Sequence, residues 1–165
     1  MAGYSIRLEG DASELLRTMR AYGALDKKRL NTVLAESARE STLERFQQGK
    51  GPDGKRWQSS IRAAATGGKT LVLTAQLRNS IRSYADEKGF AVGTNAKHAA
   101  THQFGESGRT IRAKTKKGLR FQAGGRWITK KQVRIRIPAR PFLGFSDEDL
   151  AEFQGTVEDF IEQEV

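Results

Sequence analysis

The sequence predicts an α+β domain: a small antiparallel sheet packed by helices, with a long basic β-hairpin and a C-terminal acidic amphipathic helix. Three patterns carry this expectation. Apolar and polar residues alternate over residues 4–9 and again over residues 109–137, the period of half-buried strands. Leu30, Leu34, Ala38 and Phe46 recur at a helical period. The last nineteen residues carry eight acidic side chains around the apolar stripe Leu150, Phe153, Val157, Phe160 and Ile161.

In chain order, Tyr4, Ile6 and Leu8 mark an opening strand. Asp11 or Ser13 then caps a short helix running to about Tyr22, with Gly23 as its stop. From Asp26, the residues Leu30, Val33, Leu34, Ala38 and Phe46 fall on one broad helical face, and Gly49 ends that helix. Residues 49–54 form a turn cluster before Trp57, and the Ala- and Gly-rich residues 63–69 read as a loop. Thr74 is placed to cap a short helix through Leu77 and Ile81, while residues 80–85 equally suit the start of a strand. Glu87, Lys88 and Gly89 make the turn of a hairpin between Ser83 and Val92. Residues 96–104 form a short helix stopped by Gly105. Residues 107–137 then form a basic hairpin arm turning at Gly124 and Gly125. Ser146 starts the final helix, with Asp147, Glu148 and Asp149 in the first turn, where the helix dipole favours acids. A chain of 165 residues suits one domain over 1–165, with 107–137 as its extended arm.

Charge is distributed unevenly. Residues 107–146 hold twelve Lys and Arg and no Asp or Glu; the rest of the chain holds seventeen basic and nineteen acidic side chains, so this stretch alone accounts for the net +10. A localised cationic element implies an anionic partner surface. The acidic C-terminal helix is its natural complement, either within one molecule or between copies. The candidate contact residues are Arg109, Arg112, Lys114, Lys116, Lys117, Arg120, Arg126, Trp127, Lys130, Lys131, Arg134, Arg136 and Arg140. Their interleaving with Phe121 and Trp127 suits packing on another protein, the favoured reading, or stacking on bases with salt-sensitive attraction to phosphate, with a merely solvated arm as the third alternative. Pro138 and Pro141 stiffen the backbone around Arg140 and would present it to a carboxylate in a fixed direction. Phe142 and Leu143 are expected in the core, and Trp57 and Phe104 are read as core anchors.

Catalytic chemistry finds little support. With no cysteine there is no thiol nucleophile, thiolate metal site or disulfide. His98 and His102, at i and i+4, place two imidazoles on one helical side, but a zinc site needs three or four ligands, and Ala99 stands where a zincin has its glutamate. No Gly-x-Ser-x-Gly elbow occurs, and Gly67-Gly-Lys-Thr70 lacks the earlier glycine of a phosphate loop. No enzyme activity, cofactor or metal is therefore expected. No run approaches a membrane span and no leader pattern opens the chain, which reads as a soluble protein made in the cytoplasm.

Four landmarks stand in order: Arg45-Phe46 ahead of Gly-Pro-Asp-Gly-Lys-Arg-Trp57; Leu73-Thr-Ala-Gln-Leu-Arg-Asn-Ser-Ile81; Val92-Gly-Thr-Asn95 with His102-Gln-Phe-Gly105; and Ile137-Pro-Ala-Arg-Pro-Phe-Leu-Gly144. In this order and spacing the chain resembles the phage virion morphogenesis family, the tail-completion proteins of contractile-tailed phages such as Mu. It departs from the family at Ala75, where a glycine usually follows the threonine, and at His98, where a tyrosine commonly precedes the alanine. The resemblance implies a small non-enzymatic α+β virion protein that completes the tail and helps join it to the head. Such a protein would work in the neck as a ring, of six copies by the resemblance, touching the tail tube and the neck or connector proteins. Genome DNA passing through that ring would be a further, sequence-independent contact, and the membrane has no part.

Overall fold

The computed structural model describes residues 6–9, 26–123 and 125–164. Its elements are β1 (Ile6–Glu9), α1 (Lys27–Gln48), α2 (Ile61–Thr66), α3 (Gln76–Asn79), β2 (Arg82–Asp86), β3 (Gly89–Thr94), α4 (Ala99–Phe104), β4 (Glu106–Arg112), β5 (Leu119–Ala123), β6 (Arg126–Lys130), β7 (Gln132–Ile137) and α5 (Asp147–Glu164). The helix expected between Asp11 and Tyr22 lies outside the described residues. The α+β class holds. A three-stranded antiparallel sheet of order β1-β3-β2 packs against α1, and α5 packs along the same helix.

Helix α1 begins where the Asp26 side chain accepts the Arg29 N–H at 2.9 Å and ends on Gly49, at φ 69°. Leu30, Leu34, Ala38 and Phe46 turn inward as expected, but Val33 is 46% exposed. The buried stripe is turned away from Val33 by polar residues with internal partners. Asn31 donates to the Asp86 carbonyl at 2.7 Å, Thr42 to its own helix at Ala38, and Arg45 to carbonyls beyond the helix. Phe46 is the centre of the core, with Trp57 edge-on at 5.5 Å and Phe142 at 5.4 Å between ring centroids. Trp57 also donates its indole N–H to the Pro141 carbonyl at 2.8 Å. The first and last sequence landmarks are thus two sides of one packing unit, and Trp57 and Phe142 are the core anchors expected of them.

Two local expectations are corrected. Residues 63–69 are not all loop: Ser60 accepts the Ala63 N–H at 3.1 Å and starts α2, which buries Ala63 and stops at Gly67. The alanine content that looked like low hydrophobicity is strong helix propensity once a cap precedes it. Helix α3 does not start from a Thr74 cap either. Its N-cap position is Ala75, at φ 56° and with no side-chain cap. That left-handed backbone costs a residue with a Cβ about 1–2 kcal/mol, which explains why a glycine suits this position. Ala75→Gly is expected to stabilise the fold by about 0.5–1 kcal/mol, after part of the relief is lost to the freer unfolded chain. A chemical denaturation midpoint that stays unchanged or falls would contradict this.

The basic stretch consists of two antiparallel pairs, β4 with β7 and β5 with β6. Arg112 faces Gln132 and Leu119 faces Lys130, so residues 113–118 form an excursion at the junction, tied back where the Ala113 N–H reaches the Lys131 carbonyl at 2.8 Å. The expected single hairpin is therefore broken in its ascending strand, where Lys114, Thr115, Lys116 and Lys117 interrupt the alternation of apolar residues.

Candidate partner interface

The ribbon leaves the core at Gly105, between α4 and β4. Gly105 has φ 74° and ψ 172°, and a Cβ there would lie 2.8 Å from the Ala139 nitrogen and 2.9 Å from the Ile137 carbonyl oxygen. Only glycine lets the chain enter β4 hard against the end of β7. The preceding helix is fastened by Gln103, whose amide oxygen accepts the N–H groups of Phe142 and Leu143 at 3.0 and 3.1 Å while its amide nitrogen donates to the Leu143 carbonyl at 2.9 Å. Both strands of the ribbon thus start from a rigid base.

Strand register assigns the ribbon's faces. Ile111 faces Val133 and Arg109 faces Ile135, so Ile111, Val133, Ile135 and Ile137 share one half-buried face. Arg112, Arg134 and Arg136 alternate with them and are exposed on the other. In the distal pair the Arg120 guanidinium lies 4.8 Å over the Trp127 ring, and Trp127 is 64% exposed. Lys114, Lys116, Lys117, Arg126, Lys130 and Lys131 are exposed as well. Among the described residues the ribbon makes one ion pair, Arg109 to Glu106 at 3.4 Å, internal to β4.

Two of the expected positions lie elsewhere. Arg140, read as a contact residue, is 5% exposed: its backbone N–H donates to the His102 carbonyl at 2.7 Å and its Nε to the Gln58 carbonyl at 2.8 Å. The stiffening by Pro138 and Pro141 aims it inward, to a carbonyl rather than a carboxylate, and burial lowers its pKa. Phe104, read as a core anchor, is 71% exposed, because Gln103 rather than Phe104 faces the 142–143 segment. His102 is half-buried, with Nδ1 unpartnered among the described residues; burial, then His98 and Arg140, hold its pKa below the ordinary histidine value. The His98 and His102 rings meet edge to face at 5.8 Å, and no cluster of three or more metal-ligating His, Cys, Asp or Glu occurs among the described residues.

The acidic counterpart is held by a clasp that sequence inspection missed. Ser146 and Asp149 form a reciprocal capping box: the Ser146 N–H reaches Asp149 Oδ2 at 2.7 Å and the Asp149 N–H reaches Ser146 Oγ at 3.2 Å. The same carboxylate pairs with Arg45 and accepts from Ser41, and Arg45 Nη1 donates to the Gly144 carbonyl at 2.6 Å. Both charged side chains are 5% exposed. Burial would raise the Asp149 pKa, but the Ser146 N–H, the Ser41 hydroxyl and the Arg45 charge outweigh it and hold the group below the ordinary carboxylate value. Arg45 and Asp149 lie 104 residues apart, so only the capping spacing was visible beforehand.

With Phe153, Val157 and Phe160 buried, α5 turns Asp147, Glu148, Glu152, Glu158, Asp159 and Glu162 to solvent. Glu152 accepts from Ser37 at 2.6 Å and Glu158 from Gln154 at 2.8 Å. Among the described residues none of these six acids is in an ion pair. Among the described residues, no ion pair closes the ribbon onto α5 within one molecule.

The model of the phage virion morphogenesis family matches residues 7–162, nearly the whole chain. No curated protein and no solved structure matches at a significant level.

Proposed function

The chain belongs to the phage virion morphogenesis family, and from this premise we propose that it is a non-enzymatic structural protein that completes the tail and joins it to the head in the neck of the virion. It acts there as an oligomeric ring, of six copies on the resemblance stated above, with the basic ribbon as its assembly arm. The observation that carries this reading is the charge left over in the single chain. An exposed cationic ribbon and an exposed acidic helix face, with no ion pair between them among the described residues, are surfaces suited to contact with something else. None of the ribbon's described residues belongs to the hydrophobic core cluster, so its place in the fold is peripheral.

A second reading, phosphate contact by the same ribbon, is favoured by the exposed Trp127 beside Arg120, a pair suited to stacking on bases. In a neck through which the genome passes, the two contacts are compatible. Removal of residues 109–136, with Gly108 joined to Ile137, separates folding from assembly. The shortened chain is expected to fold, because the core stays whole, and to leave tails unjoined in a complementation experiment with phage lacking the parent gene. Normal yields of infectious particles would overturn the proposal.

A further inference from the structure

Resting on the assembly role proposed above, we propose that the occupant of the ribbon is a second copy of this chain, whose acidic outer face of α5 receives the ribbon's arginine face head to tail. Three observations lead there. First, both surfaces are exposed and, among the described residues, make no ion pair with each other in one protomer, so each has charge available for another molecule. Second, the spacings agree. Arg134 and Arg136 stand two residues apart on one strand face, about 6.6–7 Å; Glu148 and Glu152 stand one helical turn apart, about 6 Å. The eighteen residues of α5 extend about 27 Å, comparable with the ~20–24 Å of the six- and seven-residue strands β7 and β4. Third, a two-stranded ribbon is marginally stable alone in water. Beyond their own pairing, neither β4 nor β7 is packed extensively on another element. A neighbour's helix laid on the arginine face would add packing that this side of the ribbon lacks in one chain.

Duplex DNA fits these facts less well as the occupant. Phosphates would neutralise the ribbon but supply no counter-charge to the six exposed acids of α5, and those acids would repel the duplex. A second copy neutralises both surfaces at once. Because ribbon and helix are different patches of the same chain, the contact is heterologous, and repeated contacts generate a ring or a filament rather than a closed dimer.

That geometry has a direct test in full-length protein. One variant carries Arg112→Gln, Arg134→Gln and Arg136→Gln; the other carries Glu148→Gln, Asp159→Asn and Glu162→Gln. All six side chains are exposed, and unchanged circular dichroism melts serve as the folding control. At low salt each variant alone is expected to be monomeric while the parent associates. An equimolar mixture is expected to form a species of twice the 18.3 kDa chain mass and nothing larger, because one intact ribbon and one intact helix remain per pair. A mixture that stays monomeric, or an α5 variant that assembles like the parent, would overturn the inference. Overturning is also the meaning of a ribbon variant that loses only its binding to a random duplex DNA while self-association persists. The tail-joining role is judged separately, by the complementation experiment.

Discussion

Asp149→Ala is expected to destabilise the protein by about 3–5 kcal/mol, the usual consequence of removing one partner from a buried ion pair. The reason is the charge left behind. Arg45 cannot shed its proton, and its side chain, 5% exposed, would keep only carbonyl and hydroxyl partners. The same substitution opens the capping box at the start of α5, the helix that carries Phe153, Val157 and Phe160 into the core. Against a total stability of about 5–15 kcal/mol, that is a large fraction. Ser146→Ala, which removes the cap hydroxyl and leaves the ion pair, is expected to cost only about 1 kcal/mol. Chemical denaturation of both variants makes the comparison, and a similar small loss in each would show that the ion pair contributes little.

The acid limb of the parent has the matching signature. The Asp149 pKa is held below its unfolded value, so the stability this group supplies is complete above the ordinary carboxylate pKa of 3.8 and is lost as pH falls through the lower, folded value. In Asp149→Ala that part of the acid dependence should vanish. Burial works against the shift, so the result also tests whether the Ser146, Ser41 and Arg45 contacts outweigh it.

The fold was legible in the sequence where local chemistry and tertiary demand agree. Asp26, Gly49 and the Leu30, Leu34 and Ala38 spacing define α1, and the turn after Asp86 defines the hairpin β2-β3, because each is decided by neighbours within a few residues. Legibility failed where a polar residue has a distant partner. Asn31, Thr42 and Arg45 rotate the buried face of α1 away from Val33, and no periodicity count treats an arginine or an asparagine as interior. Arg140 failed for the same reason: the prolines were read correctly as stiffening, but the direction they impose depends on the Gln58 carbonyl, 82 residues away. At the candidate interface, composition was a better guide than position. The exposed cations were named from charge alone, whereas the clasp of Arg45 with Asp149 and the fastening by Gln103, which hold the two charged surfaces in place, needed the three-dimensional contacts.

Assembly should depend on salt more steeply than folding does. Screening shortens the reach of exposed charges from about 10 Å at 0.1 M to about 3 Å at 1 M, while a buried pair such as Arg45 and Asp149 is screened far less. The surfaces proposed to meet, ribbon and α5, are exposed, and separating them would leave the core cluster whole. Light scattering of the purified protein at about 50 mM and about 1 M salt tests the central claim, that the charge of ribbon and α5, unpaired among the described residues, is used between chains. A species several chains in mass at low salt that falls to the single-chain 18.3 kDa at high salt is the expected result. A mass that does not change with salt, whether monomer or assembly, would contradict it.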